Sequence, residues 1–234
     1  MITSKDNELI KHIKSLNQKK YRDEYGEYFI EGIKMVLEAI EEKAPIKEII
    51  LCEELLQKEI DTKDFKVEFV DKKVFASITD TVSPQGILAV LEKQHRKIED
   101  AQIIFALDDV QDPGNVGTII RTLDCAGIKN LMVSSGSGDV YNPKVVRSTM
   151  GAIFRINIES EADLLTALLE KQKAGYQIVV TSLEASEYYT DLSFKEKTIV
   201  VIGNESKGVK KEIQAMANIK TKIPMLRKNR KPKC

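Results

Sequence analysis

The second part of the chain alternates short apolar runs with segments of helical periodicity. The runs lie at 103–107, 131–133, 178–180 and 198–202, and helices are predicted around 116–123, at 162–173 and at 209–217. Runs that are apolar throughout are typical of strands buried on both faces. Their alternation with helices predicts an α/β fold built on a parallel sheet. Such sheets bind ligands at the carboxyl ends of their strands, so the turns that follow the runs are the candidate ligand sites.

The first part of the chain has the pattern of a smaller α/β unit. Apolar residues recur at helical spacing in 9–16 and 33–40, and short strands are predicted at 46–51, 66–70 and 87–91. A polar run at 92–100 predicts a linker. The expected organisation is therefore a first domain at 1–91, a linker at 92–100, a second domain at 101–226 and a basic tail at 227–234.

The net charge of zero conceals two basic regions. Lys and Arg number 36, as do Asp and Glu, but five of the last eight residues are cations. Residues 1–22 hold six basic side chains against two acidic ones. Such a stretch is either a solvated helix face or a surface that neutralises nucleic-acid phosphates. The candidate phosphate contacts are Lys14, Lys19, Lys20 and Arg22.

Several other classes of protein are disfavoured. No apolar run approaches the twenty or so residues of a membrane helix, and the N-terminus lacks the apolar core of a signal peptide. Three cysteines and two histidines are too few and too scattered for a disulfide framework or a zinc site. We expect a cytoplasmic protein with no metal and no membrane partner.

Two turns far apart in the chain stand where an apolar run ends and a helix begins. They are Asp112-Pro113-Gly114-Asn115-Val116-Gly117 and Gly203-Asn204-Glu205-Ser206-Lys207-Gly208. The second is no phosphate-binding P-loop, because Lys207 precedes the last glycine. The pair Gly136 and Gly138 lacks the third glycine of a dinucleotide-binding fingerprint. Taken alone, the second turn is equally explained as a cap of the helix that begins near Val209.

Taken together, the motifs of this chain resemble those of the SpoU-type RNA 2′-O-ribose methyltransferases of the SPOUT superfamily. The matching motifs are Asn115-x-Gly117-x-x-x-Arg121, Gly203-Asn204-Glu205-x-x-Gly208 and Ile223-Pro224-Met225, with Asn142–Gly151 similar to the segment between the first two. The resemblance runs over 101–225. Residues 1–91 also resemble the family's N-terminal RNA-binding domain, so nearly the whole chain is covered.

The resemblance implies a fold, a cofactor and a set of site residues. It implies a small N-terminal α/β domain and a parallel-sheet SPOUT domain whose C-terminal trefoil knot binds S-adenosylmethionine at a homodimer interface. The implied cofactor residues are Thr181, Ser182, Leu183, Ile202, Gly203, Asn204, Gly208, Ile223, Pro224 and Met225. The implied catalytic residues are Arg121, Asn115 and Glu205. Lys144 and Arg147 are expected to hold the RNA backbone, with a solvated helix surface as the alternative.

The implied reaction is an in-line displacement, in which a ribose 2′-oxygen attacks the methyl carbon. A base role for Arg121 is unfavourable, since a guanidinium pKa above about 12 makes the neutral form costly. We therefore interpret Arg121 as a clamp that orients a phosphate and lowers the pKa of the hydroxyl.

The chain departs from the family pattern in the third motif. After Leu226 the family has a glycine, then Ser-Leu-Asn-Val and a closing helix, whereas this chain has Arg227–Cys234. Codons for Arg227–Cys234 can be chosen so that a frame shifted by one nucleotide encodes Gly-Lys-Thr-Glu-Ser-Leu-Asn-Val. We hypothesise a frameshift, real or introduced in sequencing, and expect an incomplete knot, a disordered tail and impaired activity.

Two alternatives to catalysis on RNA stay open. A non-catalytic RNA-binding protein would use residues 1–91 and the basic tail. An α/β nucleotide-binding enzyme outside this family would need a phosphate loop, which the sequence does not offer. The two-domain layout favours ribosomal over transfer RNA, by analogy.

Overall fold

A computed structural model of the protein describes residues 1–56, 58, 60–94, 97–98 and 100–224. Its helices are α1 Glu8–Ser15, α2 Lys19–Tyr25, α3 Ile33–Glu41, α4 Lys72–Phe75, α5 Pro113–Cys125, α6 Pro143–Thr149, α7 Leu164–Lys173 and α8 Lys211–Met216. Its strands are β1 Glu27–Glu31, β2 Ile46–Leu51, β3 Val67–Phe69, β4 Ile87–Glu92, β5 Ile103–Asp108, β6 Asn130–Ser134, β7 Asn157–Glu161, β8 Gln177–Thr181, β9 Thr198–Gly203 and β10 Ile219–Thr221. The described chain divides into two compact units.

The first unit comprises Met1–Gln94 and Asp139–Arg155. Its sheet has the order β1-β4-β2-β3, with β4 antiparallel to both neighbours and β3 parallel to β2. Ile10 and Ile13 on α1 and Leu16 at its C-cap recur at helical spacing and are fully buried in the core of this unit. The predicted amphipathic helix is therefore present, and its apolar stripe packs with sheet residues such as Phe29 and Ile50.

The second unit comprises 95–138 and 156–234. Its six-stranded sheet has the order β10-β8-β9-β5-β6-β7, and every neighbouring pair is parallel. The predicted parallel sheet is therefore confirmed. The central strands β5 and β9 supply Ala106 and Val201, both fully buried, as expected for strands covered on both faces.

The division by contacts differs from the domain boundaries expected from sequence. Residues 139–155, expected in the second domain, belong to the first unit because their partners lie there. Asp139 pairs with the buried Arg22 at 2.6 Å, and the Tyr141 ring lies 4.7 Å from that of Tyr28. The expected linker also contributes a core residue, since Ile98 is buried in the second unit.

Three strands were not expected from the apolar pattern, namely β1, β7 and β10. The helices α7 and α8 are also shorter than predicted, by a few residues at their ends. Among the described residues, no helix has the length and apolar character to cross a bilayer. The predicted tail and knot involve residues 225–234, which lie outside the described residues.

Candidate functional site

The carboxyl ends of adjacent parallel strands in the second unit lie side by side. Thr221 of β10 is opposite Thr181 of β8, and Gly203 of β9 is opposite Asp108 of β5. The Thr181 hydroxyl donates to the carbonyl of Val201 at 3.1 Å, which ties β8 to β9. The strand ends for which the resemblance predicts cofactor contacts therefore form one edge of the sheet.

The turn after β9 is closed on itself by its own backbone. The amide of Asn204 donates to the carbonyl of Gly208 at 3.1 Å, and the reverse bond measures 2.8 Å. A Cβ at position 203 would lie 2.2 Å from backbone atoms of both Gly208 and Val209. Only glycine fits there without displacing the backbone, which explains the first residue of the second motif.

Asn204 fixes this turn in two directions. Its Oδ1 accepts hydrogen bonds from the amides of Ser206 and Lys207, both at 3.0 Å. Its Nδ2 donates to the carbonyl of Asp109 at 2.8 Å and so joins the turn to the end of β5. The helix-cap alternative is wrong, because α8 begins beyond Gly208 and its N-cap, Lys210, makes no side-chain capping bond.

Asn115 and Glu205 come from the two motifs and meet directly. Nδ2 of Asn115 donates to Oε1 of Glu205 at 2.9 Å, and the amide of Asp112 donates to the same oxygen at 3.3 Å. Asp112 also caps α5 by accepting from the amide of Asn115 at 2.9 Å. Desolvation alone would raise the pKa of the Glu205 carboxyl, but the hydrogen bonds from Asn115 and nearby backbone amides outweigh it, and the pKa is lowered.

Residues that sequence reasoning did not single out support this arrangement. The Asp108 carboxylate is fully buried at the end of β5, accepts from the amide of Lys210 at 2.7 Å, and lies near the Lys210 ammonium. Asp109 has a φ of 57° and places its carboxylate 3.0 Å from the same ammonium. The hydrogen bond that the Lys210 ammonium donates to Asp109 is the main cause that raises the pKa of Lys210, and the negative charges of Asp108 and Asp109 add to it. The signal in the sequence was an acidic pair at the end of an apolar run.

Arg121 lies on the exposed surface of α5, six residues beyond Asn115. That separation is about 9 Å along the helix axis and about one and two thirds turns around it, so the two side chains point about 120° apart. Arg121 makes no hydrogen bond or ion pair with other described residues. The structure therefore does not bring Arg121 to the Asn115–Glu205 pair within one chain.

The remaining predicted cofactor residues lie on or beside the strand ends. Leu183 and Ile223 are each 61% exposed although both are apolar. Ser182 follows β8, and its amide donates to the carbonyl of Thr221 at 2.8 Å. Pro224 is the last residue described at this end of the chain, and Met225 lies outside the described residues.

The predicted RNA contacts of the first unit separate into different classes. Arg22 is 2% exposed, and its guanidinium donates hydrogen bonds to Asp139 and to the carbonyl of Leu16. The prediction of Arg22 as a phosphate contact is therefore wrong, because the guanidinium is buried and already hydrogen-bonded. Lys19 and Lys20 are exposed, with Lys19 paired to Asp23 at 2.7 Å. Lys14 is partly buried on α1.

The two cations expected from the intermotif segment lie on α6 in the first unit. Lys144 is exposed, as a phosphate contact requires. Arg147 donates to the Asp80 carboxylate at 2.9 Å in an ion pair that is open to solvent. Exposed pairs of this kind contribute little to stability, so a phosphate can compete for the guanidinium.

Comparison with known proteins identifies the family. The model of the SpoU rRNA methylase family matches residues 102–230, and that of the MRM3-like substrate-binding domain matches residues 7–89. This chain belongs to the SpoU rRNA methylase family. The resemblance read from the three motifs is thereby confirmed.

Relatives of this family member match over nearly their whole length. The 23S rRNA (guanosine(2553)-2′-O)-methyltransferase RlmP of Bacillus subtilis is 30% identical, covering 96% of this chain and 90% of its own. The structure of the rRNA methyltransferase of Sinorhizobium meliloti with bound AdoMet has a TM-score of 0.86 at 30% identity, and the match covers 99% of this chain and 91% of that chain. A putative RNA methyltransferase of the TrmH family from Porphyromonas gingivalis has a TM-score of 0.86 at 27% identity, covering 99% and 92%.

Proposed function

We propose that this member of the SpoU family transfers a methyl group from S-adenosylmethionine to a ribose 2′-hydroxyl of ribosomal RNA. The observation that carries the proposal is the 2.9 Å hydrogen bond between Asn115 and Glu205. It joins two motifs that lie 90 residues apart at the carboxyl edge of a parallel sheet. Two of the relatives named above, those of Bacillus subtilis and Sinorhizobium meliloti, carry rRNA methyltransferase names and support ribosomal RNA as the substrate.

The described residues fit the proposed cofactor at the ends of β8, β9 and β10. Leu183 and Ile223 offer exposed apolar surface on which a flat adenine can pack, and the Gly203–Gly208 turn presents backbone amides and carbonyls beside them. The other residues proposed to hold it are Thr181, Ser182, Ile202, Asn204, Pro224 and Met225. When bound, S-adenosylmethionine supplies a methyl group on a sulfonium, which is an electrophile with a good leaving group.

The chain's own residues position the attacking hydroxyl. The charged Glu205 carboxylate, fixed by Asn115, offers one oxygen to the ribose while the other holds the turn. Arg121 orients a phosphate of the RNA and lowers the pKa of the hydroxyl through its positive charge, without itself losing a proton. These effects increase the nucleophilicity of the 2′-oxygen by position and electrostatics.

The proposal assigns RNA binding to the first unit. The domain at 1–91 is the substrate-binding domain, with Lys14, Lys19 and Lys20 as phosphate contacts, joined by Lys144 and, after release from Asp80, by Arg147. Exposure of Lys19, Lys20 and Lys144 supports these roles. Such contacts give affinity without reading sequence, so binding should weaken steeply as salt is raised.

The proposed active form is a cytoplasmic homodimer with the trefoil knot of the SPOUT fold. Arg121 is exposed and makes no bond to the Asn115–Glu205 pair of its own chain among the described residues, and a second copy would supply an arginine to each site. Light scattering after gel filtration tests this assembly. A dimer at micromolar concentration is expected, and a monomer that retains methyl transfer would contradict it.

The reaction itself is tested by mass spectrometry of nucleosides. Ribosomal RNA is incubated with the protein and S-adenosylmethionine bearing a CD₃ group, then digested to nucleosides. The expected product is a nucleoside whose ribose is three mass units heavier than a natural 2′-O-methyl ribose. Arg121→Ala should reduce its yield by about 10²-fold, while Lys129→Ala, an exposed cation just beyond α5, should not.

The main alternative is a non-catalytic RNA-binding protein. Label on a base, or RNA binding without any label, would contradict the proposed reaction, and the second result would favour this alternative. The departure after Leu226 bears on the same point. We expect replacement of Arg227–Cys234 by Gly-Lys-Thr-Glu-Ser-Leu-Asn-Val to increase both cofactor affinity and yield.

A further inference from the structure

A pair of aromatic rings lies on α2 of the first unit, with Tyr25 exposed and Tyr21 partly buried. Tyr21 and Tyr25 are four residues apart and so share one face of the helix. Their ring centroids are 6.1 Å apart, and the ring planes differ by 14°. Tyr25 is 45% exposed. Tyr25 therefore presents aromatic surface to solvent, with the partly buried ring of Tyr21 against it.

The ring of Tyr25 is held in place by His12. The two rings form a T-shaped pair with centroids 4.7 Å apart. Nε2 of His12 lies 2.6 Å from Oε2 of Glu27, whose carboxylate also binds Lys47 and whose side chain is buried on β1. This chain of contacts fixes the orientation of Tyr25 before any ligand arrives. A fixed ring loses little conformational entropy when a ligand stacks on it.

A cation lies over one of the rings and another lies close by on the same helix. The Lys20 ammonium is over the Tyr21 ring, 5.4 Å from its centroid. Lys19 makes an exposed ion pair with Asp23. A ligand that combines a flat ring with a negative charge matches this arrangement, since the ring can stack while the charge meets the ammonium.

An unpaired RNA base satisfies both requirements. Bases in a duplex are stacked on one another and offer no free face, whereas an unpaired base can stack on an aromatic side chain. The adjoining phosphate is then available to a cation. Phe69, an exposed ring on β3, has no ring or cation contact among the described residues and so lacks this combination.

We propose that Tyr21, Tyr25 and Lys20 form a stacking platform for an unpaired nucleotide of the substrate RNA. This inference rests on the proposed function and specifies its substrate, an RNA with an unpaired nucleotide in reach of the first unit. Tyr21 and Tyr25 contribute ring faces. Lys20 contributes a phosphate contact.

The absence of tryptophan from the sequence allows a direct test. Tyr25→Trp introduces a single indole into the platform, and Phe69→Trp places one on β3 as the matched control. Each is titrated with a twelve-nucleotide oligoadenylate and with a blunt RNA duplex of the same length. We expect the oligoadenylate to quench the fluorescence of Tyr25→Trp, the duplex to quench it far less, and neither to affect Phe69→Trp. Equal quenching by both RNAs, or none at Tyr25→Trp, would overturn the proposal.

A second measurement separates a ring from a hydroxyl contact. Tyr25→Leu should weaken oligoadenylate binding about tenfold, whereas Tyr25→Phe should retain it, because stacking needs the ring alone. Both variants should bind S-adenosylmethionine as wild type does. Loss of affinity in Tyr25→Phe equal to that in Tyr25→Leu would contradict stacking.

The platform and the proposed reaction can fail separately. Methyl transfer with an unchanged KM for RNA in the double variant Tyr21→Leu/Tyr25→Leu would exclude the platform and leave the reaction standing. Quenching at Tyr25→Trp without any methyl transfer by wild type would support the platform and contradict the reaction.

Discussion

The carboxyl edge of the second unit's sheet and the α2 surface of the first unit both carry charged groups, but these are fixed by different means. At the sheet edge, short side chains such as Asn115, Asn204 and Glu205 bond to a backbone that is already constrained by turns. On α2, two neighbouring long cations differ in exposure, since Arg22 is buried and Lys20 is exposed. Backbone geometry therefore determines the positions of short polar groups. Tertiary partners determine those of long cations.

The largest expected effect concerns the buried cation. Arg22→Met removes a guanidinium that is 2% exposed. The carboxylate of Asp139, its partner at 2.6 Å, is then left without a compensating positive charge. Breaking a buried pair in this way costs about 3–5 kcal/mol of unfolding free energy. Lys14→Met, on the neighbouring helix, should change it by less than about 0.5 kcal/mol. Urea unfolding measures both, and similar values for the two variants would refute the contrast.

The next effect concerns the constrained turn. Gly203→Ala places a Cβ 2.2 Å from backbone atoms of Gly208 and Val209, which must move apart. We expect a loss of about 2–3 kcal/mol in unfolding free energy. Gly127→Ala is the control, because its φ of 73° is strained for alanine but nothing lies within 4 Å. It should cost about 1 kcal/mol, and an equal cost at the two positions would argue against a turn set by close backbone approach.

The smallest effect concerns the charge of Glu205. Its lowered pKa means that the folded state favours the carboxylate, so its contribution is present above the unfolded pKa and is lost as pH falls through the lower, folded pKa. Glu205→Gln should therefore reduce stability by about 1 kcal/mol at pH 7 and by clearly less at about pH 2.5. Unfolding curves at the two pH values test this. Glu212→Gln, exposed on α8, should show no such pH-dependent difference, and a loss for Glu205→Gln that persists at low pH would contradict the assignment.

The parallel sheet and its functional edge could be predicted because their signals are local. Runs such as Ile103–Leu107 indicate buried strands, and the turns at Asn115 and Glu205 follow from short motifs. The strand β1 was missed because Glu27 and Glu31, both buried, stand at its two ends and leave an apolar run of only three residues between them. β7 has a single apolar residue, Ile158, among polar and acidic ones, so it carries no apolar signal.

Which cations are buried and which are exposed could not be predicted, because their partners are distant in sequence. Arg22 and Asp139 are 117 residues apart, as are Arg155 and Glu38. Nothing within residues 1–22 distinguishes Arg22 from Lys19 or Lys20. The assignment of 139–155 to the first unit depends on the same distant contacts, so the sequence-based boundaries did not reveal it.

The central claim is that the ends of β8, β9 and β10 bind the methyl donor. Calorimetric titration of S-adenosylmethionine into wild type and two matched variants tests it most directly. Leu183→Arg places a charge on an exposed leucine beside β8, and Phe194→Arg does so on another exposed apolar residue of the same unit. Binding by wild type and Phe194→Arg, with at least tenfold weaker binding by Leu183→Arg, is the predicted result. Equal affinity in all three proteins, or no binding by wild type, would contradict the claim.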